Sequence, residues 1–221
     1  MTQLAAIGAM VLGFAAWASA QSPPRPLVRA DVGATIGWLD VDSSPTASRP
    51  FSYNRWASSL FGSIGAGWHW TDHLKTEVEF GAGTKGRAYL GSPGIIFNGQ
   101  PVQRSVHRQV SRRNVAISQQ YQFFRNAWFH PHLAVGANLA WDRRIDDVQA
   151  AYGYDPVTRI SRVVEPAHVE GPETDFVVKP FVAAGFKAYM TRRAFFRSDL
   201  RVGFKHGIDE TLVRFGFGVD F

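Results

Sequence analysis

Charged residues recur at every second position along several stretches of this chain, and that spacing is where any chemistry has to be sought. Arg29 and Asp31 share one parity, as do Lys75, Glu77 and Glu79, and again Arg197, Asp199, Arg201 and Lys205. Arg214 and Asp220 belong to a further run, and Lys179 and Lys187 to another. Glu77 and Glu79 lie on one strand face, a placement that invites acid/base work. With Lys75 beside them they read instead as members of an ion-paired network. His130 and His132, two apart, offer two of the ligands a metal requires, and the sequence names no third. Asp40 and Asp42 lack the remaining positions of a calcium loop. The 221 residues include no cysteine, which removes disulfides, thiolate ligands and a cysteine nucleophile. Neither a Gly-x-Ser-x-Gly elbow nor a phosphate-cradling glycine loop is present. No catalytic residue, metal or cofactor is expected.

The elements that must carry these charges announce themselves by period two. From Val28 onward, eight segments alternate between an apolar face and a face of glycine, small polar residues and charge, the signature of strands whose two sides meet different surroundings. In the first, Val32, Ala34, Ile36 and Trp38 oppose Asp31, Gly33, Thr35 and Gly37. In the third, Leu74, Thr76, Val78, Phe80 and Ala82 oppose Lys75, Glu77, Glu79, Gly81 and Gly83. The fourth, Val115 to Phe123, is the weakest. In the last, Val213, Phe215, Phe217, Val219 and Phe221 oppose Arg214, Gly216, Gly218 and Asp220. Charged residues make up 19% of the chain, yet none falls on an apolar face. A soluble barrel or sandwich would keep its apolar core where this chain keeps its charges.

The fold class expected is therefore all-β, a closed antiparallel up-and-down transmembrane barrel with an apolar exterior, because in lipid only a closed barrel satisfies every backbone hydrogen bond of a sheet. The tryptophans fit such a barrel. Trp38 and Trp141 end rising strands, and Trp68 and Trp70 end a falling one, forming two aromatic girdles. Inner connections are tight, around Thr71 and Asp72, Arg125 and Asn126, and Thr191 to Arg193. Outer connections run long, at roughly 40 to 55, 86 to 110 and 142 to 175. Eight strands are expected. A tenfold count is the alternative, with Val148 to Tyr152 and Ile160 to Val164 pairing, but their flanking charges suit a hairpin extension above the membrane. Pro180 predicts a bulge.

Ahead of the strands, the apolar stretch Leu4 to Trp17 ends in Ala18-Ser19-Ala20, a small-residue cleavage signature followed by Gln21. Export with cleavage after Ala20 is expected, making residues 1–20 a signal peptide and 21–221 the barrel domain. The head carries no Lys or Arg, and an uncleaved anchor helix is the alternative.

The alternation, the short inner turns and the terminal LVRFGFGVDF resemble the small eight-stranded bacterial outer-membrane β-barrel proteins typified by the transmembrane domain of outer-membrane protein A. The resemblance implies location in the cell outer membrane, and it implies that Val213, Phe215, Phe217, Val219 and the terminal Phe221 act as a signal to the outer-membrane barrel assembly machinery. In such a barrel Arg29, Asp31, Lys75, Glu77, Glu79, Arg197, Asp199, Arg201, Arg214 and Asp220 point inward as a paired luminal charge network.

A comparison with outer-membrane lipid A deacylases sets His206 at a lipid-facing position, but Ile208 occupies the place of the serine their His-x-Ser pair requires. Arg104, Arg108, Arg112, Arg113, Arg143 and Arg144 lie in or near the outer loops, where lipopolysaccharide phosphates are the anions at hand; a solvated loop surface is the alternative. The net charge of +6 thus does not point to nucleic acid. The expected partners are outer-membrane lipid and lipopolysaccharide, and the protein is expected to be a monomer. Its role is expected to be structural or in surface interaction through the extracellular loops, without enzymatic activity. A narrow ion-conducting pore and a lipid A-modifying enzyme are the competing readings.

Overall fold

A computed structural model describes residues 29–43, 54–124, 128–205 and 207–221, with side chains described outside 92–94. The signal-peptide segment, most of the outer connection expected at 40–55, the turn expected at Arg125 and Asn126, and His206 lie outside the described residues. The chain runs as β1 (Ala30–Asp42), β2 (Asn54–His69), β3 (Leu74–Gly83), β4 (Gly86–Phe97), β5 (Gln100–Gln122), β6 (Phe129–Val148), β7 (Ala151–Asp155), β8 (Ile160–Glu165), β9 (His168–Tyr189), β10 (Ala194–Phe204) and β11 (Ile208–Asp220).

Eight of these strands form a ring. Around it, β1 pairs with β2, then β3, β5, β6, β9, β10 and β11 follow, and β11 pairs back onto β1, all antiparallel. Closure leaves neither β1 nor β11 with an open edge. At that seam the backbones approach so closely that a Cβ on Gly37 would overlap the carbonyl of Val213, and one on Gly216 the carbonyl of Ala34.

One end of the ring carries tight turns. In two of them the same device recurs: the Thr71 hydroxyl accepts from the amides of His73 and Leu74, at 3.2 and 3.0 Å, and the Thr191 hydroxyl from those of Arg193 and Ala194, at 3.3 and 2.9 Å. The opposite end carries hairpins. The stretches expected as long loops at 86–110 and 142–175 are largely strand, because the ladders continue past the ring. β4 pairs with the first half of β5 around Asn98 and Gly99, whose φ values of 49° and 76° are those of a type I′ turn. β6 and β9 stay paired out to Val148 and His168, and β7 with β8 forms a separate two-stranded sheet at the tip.

Pro180 causes no bulge. It pairs in register with Ala137, and the β10 ladder on its other side has already ended at Phe181, so the missing N–H falls at an edge position. The β6–β9 register shifts instead between Arg144 and Asp146.

The apolar faces are outside. Ile36, Trp38, Phe80, Val135, Phe176, Phe215 and Phe217 are each half or more exposed, while the charges of the opposite parity are buried. The inside is not purely polar. Leu39, Val41, Phe61 and Leu212 form one apolar cluster within it, and Phe181 with Ala116, Ala134 and Ala183 another.

Candidate functional site

The lumen is filled by ion pairs stacked between these apolar clusters. At the turn end Asp31 accepts from Lys75 (3.0 Å) and Lys187 (3.1 Å), and Lys187 also donates to Asp220 (2.6 Å), which in addition takes the Tyr189 hydroxyl. Lys75 bridges onward to Glu77 at 2.6 Å, and Arg197 joins Glu77 (2.8 Å) to Asp199 (3.2 Å). Arg214 donates to Asp199 at 2.6 Å and to Glu79, and Arg201 reaches the same Glu79 at 3.3 Å. Lys187 lies 3.8 Å above the Phe195 ring, and Arg201 lies 4.2 Å from the centre of the Phe181 ring.

Nine of the ten charges of the expected luminal network therefore meet in one chain of contacts, drawn from β1, β3, β10 and β11 and joined by Lys187 of β9. Arg29 is the exception. It precedes the first residue of β1 and is exposed at the rim, where its backbone amide donates to the carbonyl of Phe221 at 3.2 Å and its side chain forms no ion pair among the described residues.

The sequence reading missed the continuation of this network toward the hairpin end. Arg112 is held by Asp142 through two bonds of 2.6 Å and by Glu210, and Glu210 also accepts from Asn138 at 3.1 Å. Asn138 in turn accepts from Asn114 at 2.6 Å, and Lys179 pairs with Asp209 at 3.0 Å. The signal was parity. Arg112 and Asn114 share the face of Ala116, and Glu210 that of Arg214, so both belong inside even though Arg112 reads as a loop arginine. His130 and His132 are likewise buried in the lumen rather than solvated at a turn. Among the described residues, no group of three or more His, Cys, Asp or Glu is placed to hold a metal.

Glu77 is flanked by Lys75, Arg197 and Arg214, and Glu79 by Arg201 and Arg214. Bulky side chains occupy the cross-section, as the interior of an eight-stranded barrel permits and little more.

Beyond the ring, most of the arginines expected to face external anions are neutralised within the chain. Arg108 is bidentate to Asp146 (2.8 and 2.6 Å) and also donates to the Ser43 carbonyl at 2.7 Å. Arg104 bridges Glu165 (3.2 Å) and Glu170 (2.6 Å), and Arg144 meets Asp175 at 2.8 Å. His168 joins this outer cluster. Its ring engages the Pro166 carbonyl at 3.0 Å and Glu170 at 3.0 Å, and both contacts raise it above the ordinary imidazole range. The same contact with His168, seconded by Arg104, lowers Glu170.

No protein-family model and no curated protein sequence matches the chain. Among solved structures it is similar to the outer membrane protein OprG from Pseudomonas aeruginosa, at 12% identity and a TM-score of 0.51 over 90% of this chain and 99% of that one. It is also similar to Neisserial surface protein A, at 13% identity and 0.49 over 87% and 97%. A third is Ail, the attachment invasion locus protein of Yersinia pestis, at 7% identity and 0.47 over 87% and 99%. With the ring, its apolar exterior and the OprG likeness together, the fold is that of a small bacterial outer-membrane β-barrel.

Proposed function

We propose that the protein resides in the outer membrane and acts as a surface-interaction protein, its barrel a sealed support for the hairpins it presents outside the cell. One observation carries this reading: the β7–β8 hairpin holds its apolar side chains in solvent. Tyr152, Tyr154 and Val163 share its outer face, with Tyr152 opposite Val163, and Val157 at the tip is 90% exposed. On the other face the β7 half is covered, with Ala151 and Gly153 buried and Gly153 beside the Phe97 ring of the neighbouring hairpin, while Ile160 and Arg162 of β8 are exposed there too. An exposed apolar face on a braced support is the form of a contact surface rather than of a solvated loop. The filled lumen argues against a porin, and the neutralised carboxylates argue against acid/base catalysis. Neither a pore nor a lipid A-modifying activity is part of the proposal.

Cells displaying the protein are expected to adhere to protein-coated glass or to one another. The triple substitution Tyr152→Ser, Tyr154→Ser and Val163→Ser, at equal surface level, is expected to remove at least half of that adhesion. Unchanged adhesion would overturn the assignment of the hairpin.

A further inference from the structure

Arginines in β5 and β6 divide by parity. Those pointing into the lumen or across the hairpins (Arg104, Arg108, Arg112 and Arg144) are all ion-paired. Arg113 and Arg143 have the opposite parity and are exposed on the outer wall, as are Lys85 and Arg87 at the start of β4. None of these four takes part in an ion pair among the described residues. They are also neighbours. Arg113 lies directly across from Trp141, and Arg143 is two residues further along the same strand, so the two guanidinium-bearing positions are diagonal partners. Lys85 and Arg143 line one recess, and Arg143 and Arg113 line an adjoining groove of about 630 Å³ floored by Phe80, Val115 and Trp141. Ser111 and Thr174 add hydroxyl donors at its edge. Asp147, a carboxylate on this face of β6, stands four residues further out.

The level on the barrel is as informative as the charge. Trp141 packs against Phe176 with ring centres 5.3 Å apart and belongs to the aromatic girdle at the hairpin end. Below it the wall is apolar, Arg113 is level with it and Arg143 stands immediately above, neither meeting a counter-charge among the described residues. A lipid-facing arginine at that height meets headgroups, and an anionic headgroup with its acyl chains against Phe80 and Val115 satisfies both halves of the groove. Adjacent cations on neighbouring strands suit a headgroup bearing more than one phosphate.

We infer that the wall formed by β3 to β6 carries a lateral site for a phosphorylated glycolipid of the outer leaflet, with Arg113, Arg143 and Lys85 on its phosphates and Trp141 and Phe80 against its acyl chains. The inference rests on the outer-membrane placement proposed above and is independent of the hairpin's role.

Because the chain has no cysteine, Ile117→Cys gives a single labelling point for a fluorophore beside the groove, two residues from Val115 on the same outward face. The labelled barrel, folded into phosphatidylcholine vesicles, is titrated with diphosphorylated lipid A, with phosphatidylglycerol at equal negative charge, and with inorganic phosphate. A saturable response to lipid A alone is expected. Arg113→Gln with Arg143→Gln should raise the lipid A fraction at half-saturation about thirtyfold, from about fivefold per cation near an anionic surface. Arg113→Lys with Arg143→Lys should keep most of the response, and Arg193→Gln, exposed at the opposite end, all of it. An equal response to phosphatidylglycerol or to free phosphate would overturn the glycolipid site. So would an unchanged midpoint in a Gln variant that still migrates as a compact barrel when unheated. Should the Gln variant fail to fold, an unchanged wild-type midpoint in 1 M salt would overturn the site equally. Hairpin adhesion that survives the Gln pair would leave the proposed function standing whichever way the lipid titration falls.

Discussion

At the scale of single residues, the central charges of the lumen are shared: Asp31, Glu77, Glu79, Asp199, Lys75, Lys187, Arg197 and Arg214 each meet two or more counter-charges. Arg214 shows what that implies. It is buried and serves both Asp199 and Glu79, and each of those retains another arginine if it is lost. Arg214→Met should therefore destabilise the folded barrel by about 3 kcal/mol, the lower part of the range for breaking a buried pair. Arg144→Met removes an exposed partner of Glu173 and Asp175 and should cost no more than about 1 kcal/mol. Urea unfolding from lipid vesicles, followed by tryptophan emission, measures both; equal shifts would show that the network does not hold the wall together. These pairs were legible in sequence only as far as parity was followed. Asp31, Lys75, Glu77 and Arg214 were assigned inward because their strands were recognised, and Arg112 and Glu210 were not, because the recognised segments stopped short of them. Arg29 is the converse case, since the alternation in sequence starts at Val28, two residues ahead of the first strand.

At the scale of elements, the strand faces were read correctly because lipid enforces period two on each strand, and one charge on the wrong face would cost several kcal/mol near the bilayer midplane. That constraint lapses outside the membrane, where β4, the outer halves of β5, β6 and β9, and the β7–β8 tip were read as loop or only in part. The Asn98-Gly99 pair carried a hairpin signal that pattern reading from the strands alone passed over. Leu39 and Val41 were likewise hidden, since inward apolar residues at a strand end break the alternation that identifies the strand. The last strand offers a test at this scale. Phe221 closes the ring through its backbone, donating to Ala30 at 2.8 Å, with its ring exposed. Phe221→Asn should lower the yield of heat-modifiable, membrane-inserted protein several-fold relative to Thr211→Asn on the same face, if the terminal face is read by the assembly machinery. Equal yields at low expression, judged by unheated electrophoresis, would remove that role.

At the scale of the whole molecule, a ring sealed by ion pairs and by the Leu39, Val41, Phe61 and Leu212 cluster should not conduct. Planar-bilayer recordings are expected to show no steady current and no passage of sugars; large, stable, porin-like currents would reverse the ranking of support over channel. The pairing of β6 with β9, which resumes beyond its one register shift and runs to Val148, has a consequence in length. β6 has 20 residues, so at about 3.3 Å per residue and a tilt of about 40° it rises about 50 Å along the barrel axis, against an apolar band of about 25 Å. About half of the strand thus stands clear of the lipid, and the tip beyond it rides at a fixed altitude above the bilayer. The β7–β8 sheet is separate from that ladder, so the wall sets the height at which it stands, and the packing of Gly153 beside the Phe97 ring of the neighbouring hairpin sets which of its faces is left open.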